Sequence, residues 1–305
     1  MTRQVVETVL SSGALLSAPL LWAALGEAIN EQAGVINVGI EGVMLFGAFG
    51  AAVGVQHFHS LAAGLVAGAA TGLLSGVILS YLYVNRGTDQ IVTGILFNIL
   101  ILGATTALYE KYLSAVVPSM SFHPAHIPLL GRIPVVGPSL FYQPVLSYAV
   151  LACALIVLYL MRRTWVGLHL RAVGERPEVG DSVGLSVVRL RWFALVCGCV
   201  LTAIGGAALV LTQTGGFIPD VTSGQGYIAL AIVILARWNP AGAILAAALF
   251  GFAAALQFQL QSTAAVAFVP RDVWLSVPYV LTLLVVVVTA GAGYPRGVGV
   301  PYRRS

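Results

Sequence analysis

The stretch NVGIEGVMLFGAFGAAVGVQ, residues 37–56, joins an apolar run of membrane-spanning length to one charged residue near its start. A transmembrane helix needs about 20 predominantly apolar residues, and this run meets that length. Its charged residue is Glu41, and a carboxylate inside a bilayer is costly unless it is paired, hydrated or interfacial. Gly34, Gly39 and Gly42 bracket it, and glycine suits backbone that bends or unwinds.

Two interpretations of Glu41 remain open. In the first, residues 34–42 form the break in an interrupted helix beside a substrate path, because unwound backbone at membrane depth survives where it lines a cavity or is buried in protein. In the second, the segment is an interfacial loop, and Glu41 is stabilised by the dipole of the helix that follows. Glu27, Asn30 and Glu31 lie just before it. They predict an interfacial polar cluster, with a ligand site as the alternative.

The composition places the whole chain in a membrane. Of its 305 residues, 59% are hydrophobic and 9% are charged, whereas soluble domains carry about 25% charged residues. We therefore expect an all-α polytopic membrane protein, a single transmembrane domain over residues 1–305, with eight or nine spans, one or more of them broken. The candidate segments are 9–29, 37–56, 61–84, 89–109, 141–161, 190–212, 225–237, 239–259 and 273–290.

The basic residues predict the orientation of the spans. The net charge of +4 is interpreted as a topology signal rather than as a nucleic-acid surface, since loops rich in Lys and Arg stay in the cytoplasm. Residues 162–191 and the C-terminal tail with Arg296, Arg303 and Arg304 are both expected inside. Residues 110–140, with Lys111 and Arg132, are expected outside. The N-terminus stays open: nine full crossings place it outside, and a re-entrant segment among the first two places it inside.

Two further polar sites lie within apolar surroundings. In DQIVTGILFN, residues 89–98, Thr93 and Asn98 are typical of side chains that hydrogen-bond to neighbouring helices; contact with a hydroxylated solute is the alternative. In SGQGYIALA, residues 223–231, Gln225 and Tyr227 open a helix after a polar, glycine-rich stretch. Interrupted helices in two halves of a chain indicate a transport site, whereas tight helix packing through small residues is the alternative.

The stretch LRAVGERPEVGDSVGL, residues 170–185, predicts a short exposed helix in the cytoplasmic loop 162–191. Pro177 suits the first turn of a helix, and Gly184 suits its end. About two turns of helix are too short to be stable alone, so a partner protein is expected to contact them. An ordinary charged loop is the alternative.

Several chemistries find no support in the sequence. The chain lacks a G-x-x-x-x-G-K-[ST] phosphate-binding loop, a catalytic constellation within its spans, and histidines near carboxylates or cysteines. We therefore expect no enzymatic activity, no metal and no cofactor. A stand-alone secondary transporter with Glu41 as its ion or proton site is the competing hypothesis, and a membrane-embedded enzyme or assembly factor is a weaker one.

These stretches together resemble the permease family of bacterial ABC importers for simple sugars and nucleosides, which is related to the ribose and branched-chain amino-acid permeases. The resemblance is carried by GVINVGIEGVMLFGAFG (34–50), QIVTG (90–94), RAVGERP (171–177), GQGYIALA (224–231) and WNP (238–240). It implies a bacterial cytoplasmic-membrane subunit that forms half of a translocation pathway. It also implies a second permease subunit, as a heterodimer, a cytoplasmic ABC ATPase and an extracytoplasmic substrate-binding lipoprotein.

The polar sites described above predict the pathway residues, and the resemblance implies the coupling residues. The substrate pathway is expected to involve Asn37, Glu41, Thr93, Asn98, Gln225 and Tyr227. Coupling to the ATPase is expected to involve Arg171, Gly174, Glu175, Arg176, Pro177 and Gly184. The chain departs from the family at 179–181, where Gly180 is expected to weaken the helix by about 0.5–1 kcal/mol relative to Ala. Overall it looks closer to the shorter of the paired nucleoside-type permeases than to the ribose type.

Overall fold

The computed structural model describes residues 3–113, 121–126, 136–261, 273–274, 276–288, 297–300 and 302. Arg132, Arg296, Arg303 and Arg304, which entered the orientation argument, lie outside the described residues. The described chain is mostly helical. The helices are α1 (Arg3–Gln32), α2 (Ile40–Phe58), α3 (Leu61–Ser80), α4 (Gln90–Tyr112), α5 (Val136–Leu140), α6 (Val145–Arg163), α7 (Trp165–Glu175), α8 (Pro177–Ser182), α9 (Val187–Leu209), α10 (Gln225–Leu235), α11 (Pro240–Gln261) and α12 (Val277–Val288).

Two of the long helices end in a wider turn. α3 continues into the π-helical segment Tyr81–Asn85, and α9 continues into Val210–Thr214. The sequence analysis did not predict these turns. It also did not predict the small antiparallel sheet of β1 (Pro124–His126) and β2 (Tyr142–Pro144), so the all-α expectation needs that correction.

Seven helices in the described part of the chain are long and apolar enough to cross a membrane: α1, α2, α3, α4, α6, α9 and α11. The expectation of eight or nine exceeds this number for two reasons. α10 has 11 residues, about 17 Å at 1.5 Å per residue, against a hydrocarbon core of about 30 Å. α12 has 12 residues as described, and part of the expected segment 273–290 lies outside the described residues.

The centre of the bundle is formed by α1, α2, α3, α9 and α11, which pack through small residues. A Cβ added to Gly206 of α9 would overlap the Met44 carbonyl oxygen of α2, and one added to Gly47 would overlap the backbone of Ala203. A Cβ on Gly72 of α3 would lie 2.7 Å from the Cys199 carbonyl oxygen. Such approaches are typical of membrane helices, whose association depends on close van der Waals packing.

One end of the bundle is formed by the arginine-rich residues 162–191, and we refer to it as the basic end. The C-terminus of α1 lies there, because a Cβ on Gly174 would overlap the Gln32 carbonyl oxygen. The start of α9 and the end of α3 also meet there, since Trp192 Nε1 donates to Asn85 Oδ1 at 2.6 Å. Arg191 donates to the Val300 carbonyl at 2.9 Å, which brings the described C-terminal residues to the same end.

The opposite end holds the start of α1 and the segments around the small sheet. The Gln143 side chain donates to the Ser11 carbonyl at 3.0 Å, and the Gln213 side chain donates to the Leu15 carbonyl at 2.9 Å. The Phe122 N–H donates to the Leu211 carbonyl at 2.9 Å. α1 therefore runs from this end to the basic end, and α9 runs in the reverse direction.

The glycine packing gives a first prediction. Gly206→Ala should lower the free energy of unfolding by about 1–3 kcal/mol, because the added methyl must displace the α2 backbone. Gly103→Ala on α4 is the matched control, since nothing lies within 4 Å of its added Cβ. Unfolding in mixed detergent micelles measures both. Equal stability of the two variants would contradict the close α2–α9 contact.

Candidate functional site: a junction between two interrupted helices

The first interruption is residues 33–39, between α1 and α2. Here the backbone turns back along the end of α1, and the Val35 N–H donates to the Asn30 carbonyl at 3.1 Å. Side chains satisfy the next groups: the Ile36 N–H donates to Gln90 Oε1 at 2.8 Å, and the Asn37 N–H donates to Glu27 Oε1 at 2.7 Å. Unwound backbone buried in a membrane protein needs such partners.

The second interruption is residues 215–224, between the π-helical end of α9 and α10. Its backbone enters the left-handed region at Gly215, Asp220, Ser223 and Gly224, with φ of 66°, 58°, 43° and 83°. This segment places the N-terminus of α10 against the start of α2. The sequence predicted flexible backbone at both interruptions but not that they meet.

Glu41, in the first turn of α2, connects the two interruptions. Its Oε1 accepts hydrogen bonds from the Thr222 hydroxyl and from the Gly224 N–H at 2.9 Å. Its Oε2 accepts from the Gly226 N–H at 2.7 Å. A carboxylate is favourable at a helix N-terminus because unpaired N–H groups and the helix dipole both point at it. Glu41 therefore caps α10, a helix some 180 residues further along the chain, as well as lying in the first turn of its own.

The junction has no room for a side chain at Gly226. A Cβ there would lie 2.7 Å from both the Glu41 Cα and its Oε2. The structure therefore shows tight packing through Gly226, one of the two alternatives at this segment, and a transport site here stays a prediction. The hydrogen bond from the Gly226 N–H to Glu41 depends on this close approach of the two backbones, and the bond in turn stabilises the approach.

Asn98 of α4 supports the same junction from the side. Its Oδ1 accepts from the Gly42 N–H at 2.7 Å, and its Nδ2 donates to the Val38 carbonyl at 2.9 Å. The same Nδ2 also donates to the Tyr227 hydroxyl at 2.8 Å. The hydrogen bonds run between helices, as the sequence analysis expected for an amide in apolar surroundings.

The structure places the six expected pathway residues at different depths. Asn98 and Tyr227 are hydrogen-bonded to each other, and Glu41 bonds to Thr222, Gly224 and Gly226 at the same junction. Asn37 is fully buried and its amide lies 3.6 Å from Cys199 Sγ. Thr93 and Gln225 are half-buried, and Tyr227 is 44% exposed.

The segment expected to contact the ATPase forms a helix–turn–helix at the basic end. α7 ends at Glu175 and α8 begins at Pro177, with Pro177 at its first position. Gly184 follows α8 with φ of 86°, and the Leu185 N–H donates to the Gly180 carbonyl at 3.0 Å, a left-handed helix ending.

Gly180 and Gly174 have packing roles in this segment. Gly180 is buried against α7, and its added Cβ would lie 3.2 Å from Val173 Cγ2, so a small residue is favoured where we expected a weakening. Gly174 packs on residues 32–34, and its carbonyl accepts from the Gly297 N–H at 2.8 Å. Arg171 donates from Nε to the Gly167 carbonyl at 3.2 Å, while Glu175 and Arg176 are exposed.

Comparison with known proteins identifies the family. Residues 9–287 match the family model described as the permease component of the branched-chain amino acid transport system. The chain belongs to this permease family. It is the permease subunit of an ABC importer and a multi-pass protein of the cytoplasmic membrane.

Similar permeases have known transport roles. The guanosine ABC transporter permease NupQ of Bacillus subtilis is 33% identical over 98% of this chain and 97% of its own length. The nucleoside ABC transporter permease NupC of Lactococcus lactis is 30% identical over 98% of both chains. A second Bacillus subtilis guanosine permease, NupP, is 24% identical over 76% of this chain and 69% of its own length.

A solved structure supports the fold. An inward-facing structure from a metal-chelate type ABC transporter matches with a TM-score of 0.51 at 18% identity. The match covers 92% of this chain and 86% of the other. At that identity the likeness concerns the fold alone.

The polar cluster before the first interruption is buried. Glu27, Asn30 and Glu31 were expected to form an interfacial polar cluster, and the structure buries all three near the end of α1. Asn30 Nδ2 donates to Glu27 Oε2 at 2.9 Å, and the Trp238 indole N–H donates to Glu31. Buried carboxylates need such partners. The spacing of these residues along α1 signalled a shared face, whereas Trp238 and Thr222 carried no local signal of their role.

A double-mutant cycle between Glu41 and Thr222 tests the junction. Glu41→Gln and Thr222→Val should each destabilise the protein, because each leaves a buried polar group without its partner. Their effects should be non-additive by about 1–3 kcal/mol. Unfolding in mixed micelles provides the free energies. Glu178→Gln, an exposed carboxylate on α8, should show no coupling to Thr222. Additive effects of Glu41→Gln and Thr222→Val would contradict the contact.

Proposed function

We propose that this permease moves a nucleoside into the cell, as one half of a translocation pathway. The observation that carries the proposal is the 33% identity with a guanosine permease over 98% of the chain. The similarity to NupC, also a nucleoside permease, agrees with it. A simple sugar is the competing solute, because sugars and nucleosides use the same hydroxyl and amide contacts.

The orientation follows from the contacts at the two ends of the bundle. We place the basic end in the cytoplasm, since its arginines follow the positive-inside rule. The N-terminus of α1 then lies outside. Residues 215–235 return from the outer end to the basic end and count as one traversal, and the C-terminal residues reach the basic end after α12. The single domain then has nine traversals, of which the one containing α10 is interrupted.

The six pathway residues divide by exposure into two roles. Asn37, Glu41 and Asn98 are buried and hold the two interruptions in place. Thr93, Gln225 and Tyr227 are at least partly exposed and present hydroxyl and amide groups to the solute. Tyr227 has both roles, because its hydroxyl bonds to Asn98 while the side chain stays partly exposed.

Glu41 fits a structural role better than the ion site of a secondary transporter. Both of its oxygens already accept hydrogen bonds, three in total, from the Thr222 hydroxyl and from the N–H groups of Gly224 and Gly226. An ion would have to displace the bonds that cap α10. This supports a channel subunit whose energy comes from elsewhere.

Energy enters at α7 and α8 in this proposal. A cytoplasmic ABC ATPase contacts the exposed side of α8, where Val179 and Val183 are 53% and 72% exposed among charged residues. Arg171, Glu175 and Arg176 surround this contact, and Pro177 and Gly184 set the limits of the helix. Force on α8 reaches the first interruption through Gly174, which packs on residues 32–34.

The remaining partners complete the importer. A second, different permease subunit forms the other half of the pathway, as supported by the two guanosine permeases NupQ and NupP of one organism. This chain resembles NupQ over nearly its whole length and NupP over less. An extracytoplasmic lipoprotein delivers the solute to the outer end.

Competition for uptake tests the solute. Cells that express the permease with its partner subunits should take up a labelled purine nucleoside, and a 100-fold excess of unlabelled nucleoside should abolish the uptake. An equal excess of glucose, ribose or leucine should leave it unchanged. Uptake that glucose or ribose abolishes would instead assign the permease to sugars.

Substitutions in the coupling segment test the route of energy. Glu175→Ala combined with Arg176→Ala should reduce uptake at least tenfold and remove stimulation of ATP hydrolysis by solute, because the ATPase loses its exposed contact. The ATPase should keep its basal activity. Arg189→Ala, an exposed arginine at the start of α9, is the control and should behave as the unmodified protein. Unchanged uptake and unchanged stimulation in the double variant would exclude this coupling role.

A further inference from the structure

A cavity of about 330 Å³ opens at the basic end, apart from the helix junction. It lies between the C-terminus of α6, α7, and the turn that joins α10 to α11. Its charged lining consists of Arg162, Arg171, Arg237 and Glu175. Three guanidinium groups therefore face one carboxylate, and the cavity carries an excess of positive charge.

The start of a long helix also lines the cavity. Asn239 and Pro240 line it, and α11 begins at Pro240 and runs for 22 residues. Pro240 has no N–H and the Ala241 N–H already donates to Asn239 Oδ1 at 3.2 Å, so α11 contributes its dipole, which attracts anions to the start of a helix. Arginine matches phosphate oxygens through paired N–H donors. A phosphate group satisfies both features at once.

The turn before α11 is held in place by α1. Arg237 and Trp238 both have left-handed backbone, with φ of 51° and 57°. The Gln32 side chain donates to the Trp238 carbonyl, and Glu31 accepts from the Trp238 indole. Arg237 is therefore presented to the cavity by a fixed turn, which lowers the entropy cost of binding a ligand there.

The surroundings indicate the source of the phosphate. On α6, Ile156 and Tyr159 are 58% and 62% exposed, within two turns of Arg162. On α11, Leu245 and Leu249 are 75% and 47% exposed. Apolar side chains on two membrane-spanning helices thus lead toward a basic cavity at their ends, an arrangement suited to acyl chains below a headgroup. Basic residues at this depth attract anionic lipids.

We propose that this cavity binds the phosphate headgroup of an anionic phospholipid in the leaflet at the basic end. Arg162 of α6 and Arg237 of the turn before α11 contact the phosphate, and the dipole of α11 adds to the attraction. The proposal is independent of the solute that the permease carries.

Native mass spectrometry of the full-length permease with added lipid tests the site. The protein should retain phosphatidylglycerol in preference to phosphatidylcholine. Arg162→Ala and Arg237→Ala should each weaken phosphatidylglycerol binding about fivefold, and the double variant about 30-fold, as expected for basic residues at a membrane surface. Arg163→Ala is the matched control, because this neighbouring exposed arginine is not part of the cavity lining, and it should bind as the unmodified protein does.

Two further arms make the result decisive. Arg162→Lys with Arg237→Lys keeps the charge and should recover most of the binding, which separates loss of charge from misfolding. Unchanged phosphatidylglycerol binding in the double alanine variant would overturn the proposal. Inorganic phosphate at millimolar concentration should not displace the lipid. If phosphate alone raises the melting temperature through these two arginines while phosphatidylglycerol does not bind, the assignment to lipid is wrong.

Discussion

Backbone that leaves its helix inside a bilayer finds no water, so the protein itself must satisfy its hydrogen bonds. This constraint explains the positions of four buried polar side chains near the two interruptions. Gln90 accepts from the N–H of residue 36, Glu27 accepts from the N–H of residue 37, and Asn98 bonds to the backbone of residues 38 and 42. Glu41 accepts hydrogen bonds from the N–H groups at the start of α10.

The same contacts join distant parts of the chain into one mechanical route. Gly174 packs on residues 32–34 at the basic end, and the segment from there leads to Glu41. Glu41 in turn holds the N-terminus of α10, whose far end is fixed to α1 through Trp238. In the coupling that we propose, a displacement of α8 has a short path to the hydroxyl of Tyr227. Each step of this path is a close contact or a hydrogen bond, so the proposed route needs no flexible linker.

Local signals explain what could be predicted from the sequence. Apolar length predicted the segments of the seven long helices in the described part of the chain. Pro177 and Gly184 marked the limits of α8, because each has a backbone preference that acts at its own position. Glycine next to Glu41 marked the first interruption for the same reason.

Long-range contacts explain what could not be predicted. Thr222 bonds to Glu41 and Trp238 bonds to Glu31 only because the fold brings them together. No residue near Thr222 or Trp238 in the sequence indicates these partners. Hydropathy did not separate the seven long apolar helices of the described residues from the shorter α10, because it does not distinguish a full crossing from a half-helix that follows an unwound segment. The burial of Glu27, Asn30 and Glu31 likewise depends on α9 and the turn at Trp238 covering them.

Hydrogen–deuterium exchange at the start of α10 tests the central claim most directly. The account predicts that the amides of Gly224 and Gly226 exchange slowly in the unmodified protein, because Glu41 accepts both. In Glu41→Ala they should exchange at least tenfold faster, while the amides within α11 stay protected. Rapid exchange at residues 224–226 in the unmodified protein, or equal protection in the variant, would contradict it.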